Sequence, residues 1–150
     1  MRRAAAESQA VEAEEDIAVT TVSGQHGLPN LPDQEQLENM IYVAENVFEP
    51  LRKAVAHDKP IIVSSFFRHH KVNSKIKGAS KTSDHPHGCA LDLKKARNAA
   101  YTNADIFRYI LKHLDFDQLI WEYGTTTEPR WVHVSLRKHG PNRKQVIYNL

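Results

Sequence analysis

Apolar residues recur at helical spacing over residues 33 to 57, where Leu37, Met40, Ile41, Ala44, Val47, Phe48, Leu51, Ala54 and Val55 fall on one face. Asp33 is the expected N-cap, and Gln36 three residues on closes a capping box. Pro50 interrupts the pattern and is expected to kink the helix. A second helix is predicted over 103–114, capped by Thr102 with Asp105 and carrying Ile106, Phe107, Ile110, Leu111 and Leu114 on its inner face. Strand patterns lie between and after the helices. "PIIVSS" at 60–65 reads as a short buried strand, and "CALDL" at 89–93 as another. "DQLIWEY" at 117–123 and "RWVHVSL" at 130–136 read as two strands joined by a turn through Gly124 and Pro129. "QVIYNL" adds an edge strand, and residues 66–83 read as loop with one helical turn. The order predicts an α+β domain: a small, mostly antiparallel sheet with helices packed on one face.

Strand alternation sorts the polar residues. In "WVHVSL" the face of Val132, Val134 and Leu136 is the core side, so Trp131, His133 and Ser135 share the other. In "CALDL" the apolar face is Cys89, Leu91 and Leu93, which leaves Asp92 opposite, behind the small Ala90. Glu122 shares a face with Gln118 and Ile120. Three strands can thus present Asp92, Glu122 and His133 on one surface.

The stretch "SDHPHGCALD", Ser83 to Asp92, crowds two histidines, the single cysteine and an aspartate into ten residues. Metal ligands, a nucleophile with its base, and a polar loop rich in histidine all fit that composition. Gly88 permits a tight bend that can carry His85 back over the face holding Asp92. Two histidines and one carboxylate, with a fourth position left for water, is the ligand count of a catalytic zinc site. A lone cysteine does not build a closed structural site.

Composition narrows the picture further. At 150 residues the chain suits one domain with its own core. The net charge of +2 is too small to indicate nucleic acid, and the basic "RKHGPNRK" reads as a solvated face. One cysteine excludes an internal disulfide. No apolar stretch is long enough to span a bilayer, so no membrane insertion is expected. Residues 1–27, rich in Ala, Glu, Gln and Ser, read as a flexible tail, and 28–150 as the folded domain. "MRRAAAESQAVEAEED" has no apolar core of a signal peptide, so synthesis in a bacterial host cytoplasm is expected.

"SDHPHGCALD" resembles the Ser-x-His-x-x-Gly-x-Ala-x-Asp motif of the D-Ala-D-Ala carboxypeptidase family of zinc peptidases. "VSSFFRHHKVNSKIKGASKTS" is similar to that family's Ser-Gly-Tyr-Arg-Ser segment with its following Asn and Gly-x-Ser-x-x-Ser loop. "FDQLIWEYG" and "RWVHVS" resemble the closing strands of its phage and bacterial branch, and the likeness spans residues 28 to 148. The resemblance implies a fold shared with hedgehog-type zinc domains and one zinc ion per chain, held by His85, Asp92 and His133. Gly88 stands three residues after His85, as the motif requires, so His87 is not the matching ligand.

By the same resemblance Arg68 holds a carbonyl or carboxylate of the substrate, and Ser80 and Ser83 line the pocket. Glu122 matches the glutamate of the hedgehog-type domains and is the expected general base, with Glu128 as the alternative. Phe66 departs from the pattern, which usually has Gly there. The implied activity is hydrolysis of the peptide stem of bacterial peptidoglycan, by a monomer. A phage or prophage lysis enzyme released by a holin, or carried on the virion, fits the size. A zinc-containing binding module without hydrolysis and a phage structural component are the alternatives.

Overall fold

The computed structural model describes residues 30–77, 79–80 and 82–150. The expected tail at 1–27 lies outside the described residues.

Helix α1 (Gln34–Val43) starts where expected. The Gln36 backbone N–H donates to Asp33 Oδ1 at 2.8 Å, and the Asp33 N–H donates to Gln36 Oε1 at 2.8 Å. Pro50 does not end the helix. A π-helical turn over Ala44–Phe48, in which the Glu49 N–H reaches Ala44 O, leads directly into α2 (Glu49–Val55). Such a turn loosens the backbone ladder just where the proline ring needs room and has no N–H to donate. It also rotates the downstream positions away from a strict 3.6-residue stripe. Ala54 is accordingly exposed, where the periodicity placed it inside.

Strands β1 (Ile61–Ser65), β2 (Ala90–Lys95), β3 (Gln118–Glu122), β4 (Trp131–Ser135) and β5 (Gln145–Asn149) form one sheet in the order β1-β2-β4-β3-β5. β1/β2, β2/β4 and β3/β4 are antiparallel, while β3/β5 is parallel. The expectation of a mostly antiparallel α+β sheet therefore holds. β1 is less buried than "PIIVSS" suggests, because it is an edge strand and Ile62 is 39% exposed. A short helix, α3 (His70–Asn73), is the one helical turn expected in the 66–83 connection.

Helix α4 (Asn103–His113) is capped by Thr102 and Asp105 as expected. It packs against β2, β3 and β4, and α2 packs against α4. Ile106, Phe107 and Ile110 are buried there, with Phe107 edge-to-face on Trp121 at 5.1 Å, whereas Leu111 sits on the flank at 43% exposed. Leu91, Leu93, Leu119, Val132 and Val134 close the core from the sheet side, all at 0% exposure. The helices thus cover one face of the sheet and leave the polar face to the site. Among the described residues no helix is long and apolar enough to cross a membrane.

Candidate metal centre

The register of the central strands brings the polar residues together. Asp92 on β2 pairs with His133 on β4, and His133 pairs in turn with Ile120 on β3. Strand alternation then puts Asp92, His133 and Ile120 side by side on the face away from the helices. The β1 partner is bulged, with Val63 opposite Leu93 but Ser65 opposite Asp92. The extra residue, Ser64, donates its hydroxyl to Asp92 O at 3.3 Å.

His85 arrives from a 3₁₀ turn, His85–His87, that ends at Gly88 with φ +74°. A Cβ at Gly88 would lie 2.5 Å from Gln36 O and 2.9 Å from Met40 Cγ, so this bend is seated directly on α1. Gln36 Nε2 donates to Pro86 O at 3.0 Å, and Asn39 Nδ2 to His87 O at 2.9 Å. The Ser83 hydroxyl accepts from His85 N at 3.2 Å. These contacts aim the His85 ring over the sheet, while the His87 side chain stays exposed.

The result is a compact cluster: one donor atom each from His85, Asp92 and His133 lies within 4.8 Å of the other two. His133 Nδ1 is 3.0 Å and His85 Nε2 is 3.3 Å from Asp92 Oδ1. The proton on His85 can be placed from its partners. Nδ1 lies 2.6 Å from the Phe66 carbonyl, which can only accept, so Nδ1 carries the hydrogen. Burial pushes the His85 imidazole down toward its neutral form, against the opposing pull of Asp92. Nε2 is then a bare lone pair, buried and without a hydrogen-bond partner, facing a carboxylate oxygen. Burial alone would raise the Asp92 carboxyl, but the neighbouring His85 and His133 outweigh it and hold it well below the usual carboxylate range.

A buried lone pair against a carboxylate is costly unless a cation lies between them. Two imidazole nitrogens and one carboxylate oxygen are the donor set of a catalytic zinc site with three protein ligands. The Phe66 carbonyl makes the kind of outer hydrogen bond that fixes the tautomer of a histidine where it binds a metal.

The other expected residues surround this cluster in a cleft of about 600 Å³. Arg68, Ser80, Ser83 and Glu122 all line it. Burial lowers the Arg68 guanidinium, partly offset by Asp92, and its Nε is buried with no partner among the described residues. Ser80 is occupied in shaping its own loop, with its hydroxyl 3.0 Å from that of Thr82. Glu122 pairs across the strands with Trp131, which makes it the diagonal neighbour of His133, and its carboxylate accepts from Asn149 Nδ2 at 3.1 Å. Glu128 is elsewhere: its carboxylate accepts from the Asn103 N–H at the start of α4, at 2.8 Å.

Sequence reasoning missed the groups that hold this architecture from behind. Asp117, fully buried, takes a paired hydrogen bond from Arg143 (Nε 3.1 Å, Nη2 2.8 Å), and Arg137 spans from Asp117 to Asp84 beside His85. The hint available was a lone aspartate at the head of an apolar strand. A second cavity of about 480 Å³, under the 56–60 and 96–101 loops, contains none of these residues.

The α+β domain thus brings two histidines and a carboxylate together in an open cleft as a candidate metal site. The family model of peptidase M15 matches residues 11–135, and the chain belongs to that family of zinc D-Ala-D-Ala carboxypeptidases. No curated protein matches the chain.

Proposed function

We propose that the chain is a zinc peptidase that hydrolyses an amide bond in the peptide stem of peptidoglycan, with His85, Asp92 and His133 as the metal ligands. The observation that carries this reading is the unpartnered, buried His85 Nε2 facing Asp92 at 3.3 Å, which asks for a cation. A zinc ion held there would supply Lewis acidity and a lowered pKa for water near neutral pH.

The residues of the chain do the rest. Phe66 O holds the His85 ring in its ligating tautomer. Arg68, desolvated and unpartnered at Nε, binds an anionic or carbonyl oxygen of the substrate. Glu122 is the general base. As a diagonal neighbour of His133 it stands about 7–8 Å away, within reach of a long side chain, and would take a proton from the attacking water. It then returns the proton to the leaving amine. The open cleft admits a polymer-linked substrate, and release of the enzyme by a phage lysis system is consistent with that use.

The test is digestion of purified sacculi with the zinc-loaded protein, with and without chelator, reading new termini by mass spectrometry. New amino and carboxyl termini that vanish with chelator are expected. Elemental analysis completes the test: His85→Ala should lose bound zinc while His87→Ala keeps it. Full occupancy in His85→Ala would reject the ligand assignment. Intact sacculi in every condition would favour a binding module.

A further inference from the structure

Tyr123 and Trp131 form an exposed aromatic corner in the wall of the same cleft, and nothing in the hydrolytic chemistry uses it. Their ring centroids are 5.3 Å apart at 54°, and both line the cleft with the metal donors and Glu122. Tyr123 is 46% exposed, a large aromatic surface left in water. Its backbone is held at φ +55°, a left-handed conformation unfavourable for a residue with a bulky side chain. The hydrogen bond from Tyr123 N to Asn149 O, 2.7 Å, and the adjacent Gly124 at φ +80° fix it there. Glycine at 124 is obligatory, because a Cβ would sit 2.3 Å from Glu128 O. The Tyr123 ring lies outside the hydrophobic core and against Trp131.

The surroundings say what such a corner takes. Trp131 is two residues from His133 on β4, on the same face, so the corner starts about 7 Å along the strand from that donor. The floor beside it is polar: Glu122 pairs with Trp131 on one side and with Asn149 on the other, and both Glu122 and Asn149 line the cleft. Aromatic faces flanked by a side-chain amide suit a pyranose ring: its C–H face lies on the aromatic surface while hydroxyl and acetamido groups meet the Asn149 amide, whose carbonyl oxygen and second N–H are left over by its bond to Glu122.

We propose that Tyr123 and Trp131 form a saccharide subsite that seats an N-acetylated sugar of the glycan strand next to the hydrolytic centre. The inference deepens the peptidase reading and rests on it. It makes the glycan-linked stem the substrate class, with the scissile bond within a residue or two of the sugar.

The experiment titrates the zinc-loaded full chain with a β-1,4-linked N-acetylglucosamine tetramer, which has no peptide bond to cleave, and follows amide and indole resonances by NMR. Shifts centred on Tyr123, Trp131 and Asn149 are expected. Tyr123→Asn, which suits a left-handed backbone, should weaken binding at least tenfold, and Tyr123→Phe should keep it. No shift at the corner, or equal binding by Tyr123→Asn, overturns the proposal. Shifts from a free tetrapeptide but none from the sugar assign the corner to peptide and overturn it as well. Because the tetramer is not hydrolysed, sugar binding by a protein that leaves sacculi intact upholds the subsite while rejecting the peptidase reading.

Discussion

The two glutamates near the β3–β4 connection have the same chemistry and different neighbours. Glu122 lines the cleft, and its one protein hydrogen bond comes from an amide that a water can replace. Glu128 is bound to the first N–H of α4. Removing the proton acceptor at position 122 while keeping its shape should therefore stop hydrolysis without loosening the fold. Glu122→Gln is expected to keep zinc and melting temperature and to lose about 10²–10⁴-fold in turnover on sacculi. Glu128→Ala should do the reverse, with turnover kept and stability reduced by about 1 kcal/mol through loss of the helix-end hydrogen bond. Near-normal turnover in Glu122→Gln would remove it from the base role. Phe66 makes a related point, since its contribution to the site comes from a carbonyl that any residue possesses. A departure from the family pattern at this position leaves the tautomer-fixing hydrogen bond intact.

At the scale of elements, the bend at Gly88 decides where His85 goes. Gly88→Ala must tolerate both a positive φ and a methyl group pressed on the α1 backbone. A loss of about 2–4 kcal/mol is expected from the two penalties together, with weakened zinc retention. Differential scanning calorimetry of the zinc-loaded variant checks it, and an unchanged melting temperature would mean that α1 yields at little cost. This bend was visible in advance because glycine, the histidine before it and the alternation of "CALDL" each point to it. The facing of Asp92, His133 and Glu122 was legible for the same reason, since strand period leaves only two choices per residue. What could not be read was anything needing a contact across the chain. The exposure of β1 as an edge and the parallel docking of β5 depend on neighbours that periodicity does not name. The Asp117–Arg143 pair and the amides of Gln36 and Asn39 were equally silent, because long-range hydrogen bonds leave no local pattern.

For the whole molecule, one layer of helices and one sheet divide the labour, with stability on one face and chemistry on the other. Even the first described residue is tied into this plan. Asn30 is buried, and its side chain accepts from His69 N at 2.9 Å and donates to Phe67 O at 3.5 Å, bracing the segment that carries Arg68. The amide clamps from Gln36 and Asn39 have a wider consequence, because they are the links between α1 and the turn that presents His85. An element held to a ligand shares its fluctuations, so the free energy of ion binding spreads into the helix as protection of its amides. Hydrogen–deuterium exchange should show this at a distance. Chelation is expected to speed exchange both in residues 85–92 and along Met40–Val47, with little change in the far half of α4. Acceleration confined to 85–92 would mean the clamps break before the helix feels the loss. The first helix then acts as a reporter of metal occupancy, opening and closing as one cooperative unit with a site it never enters.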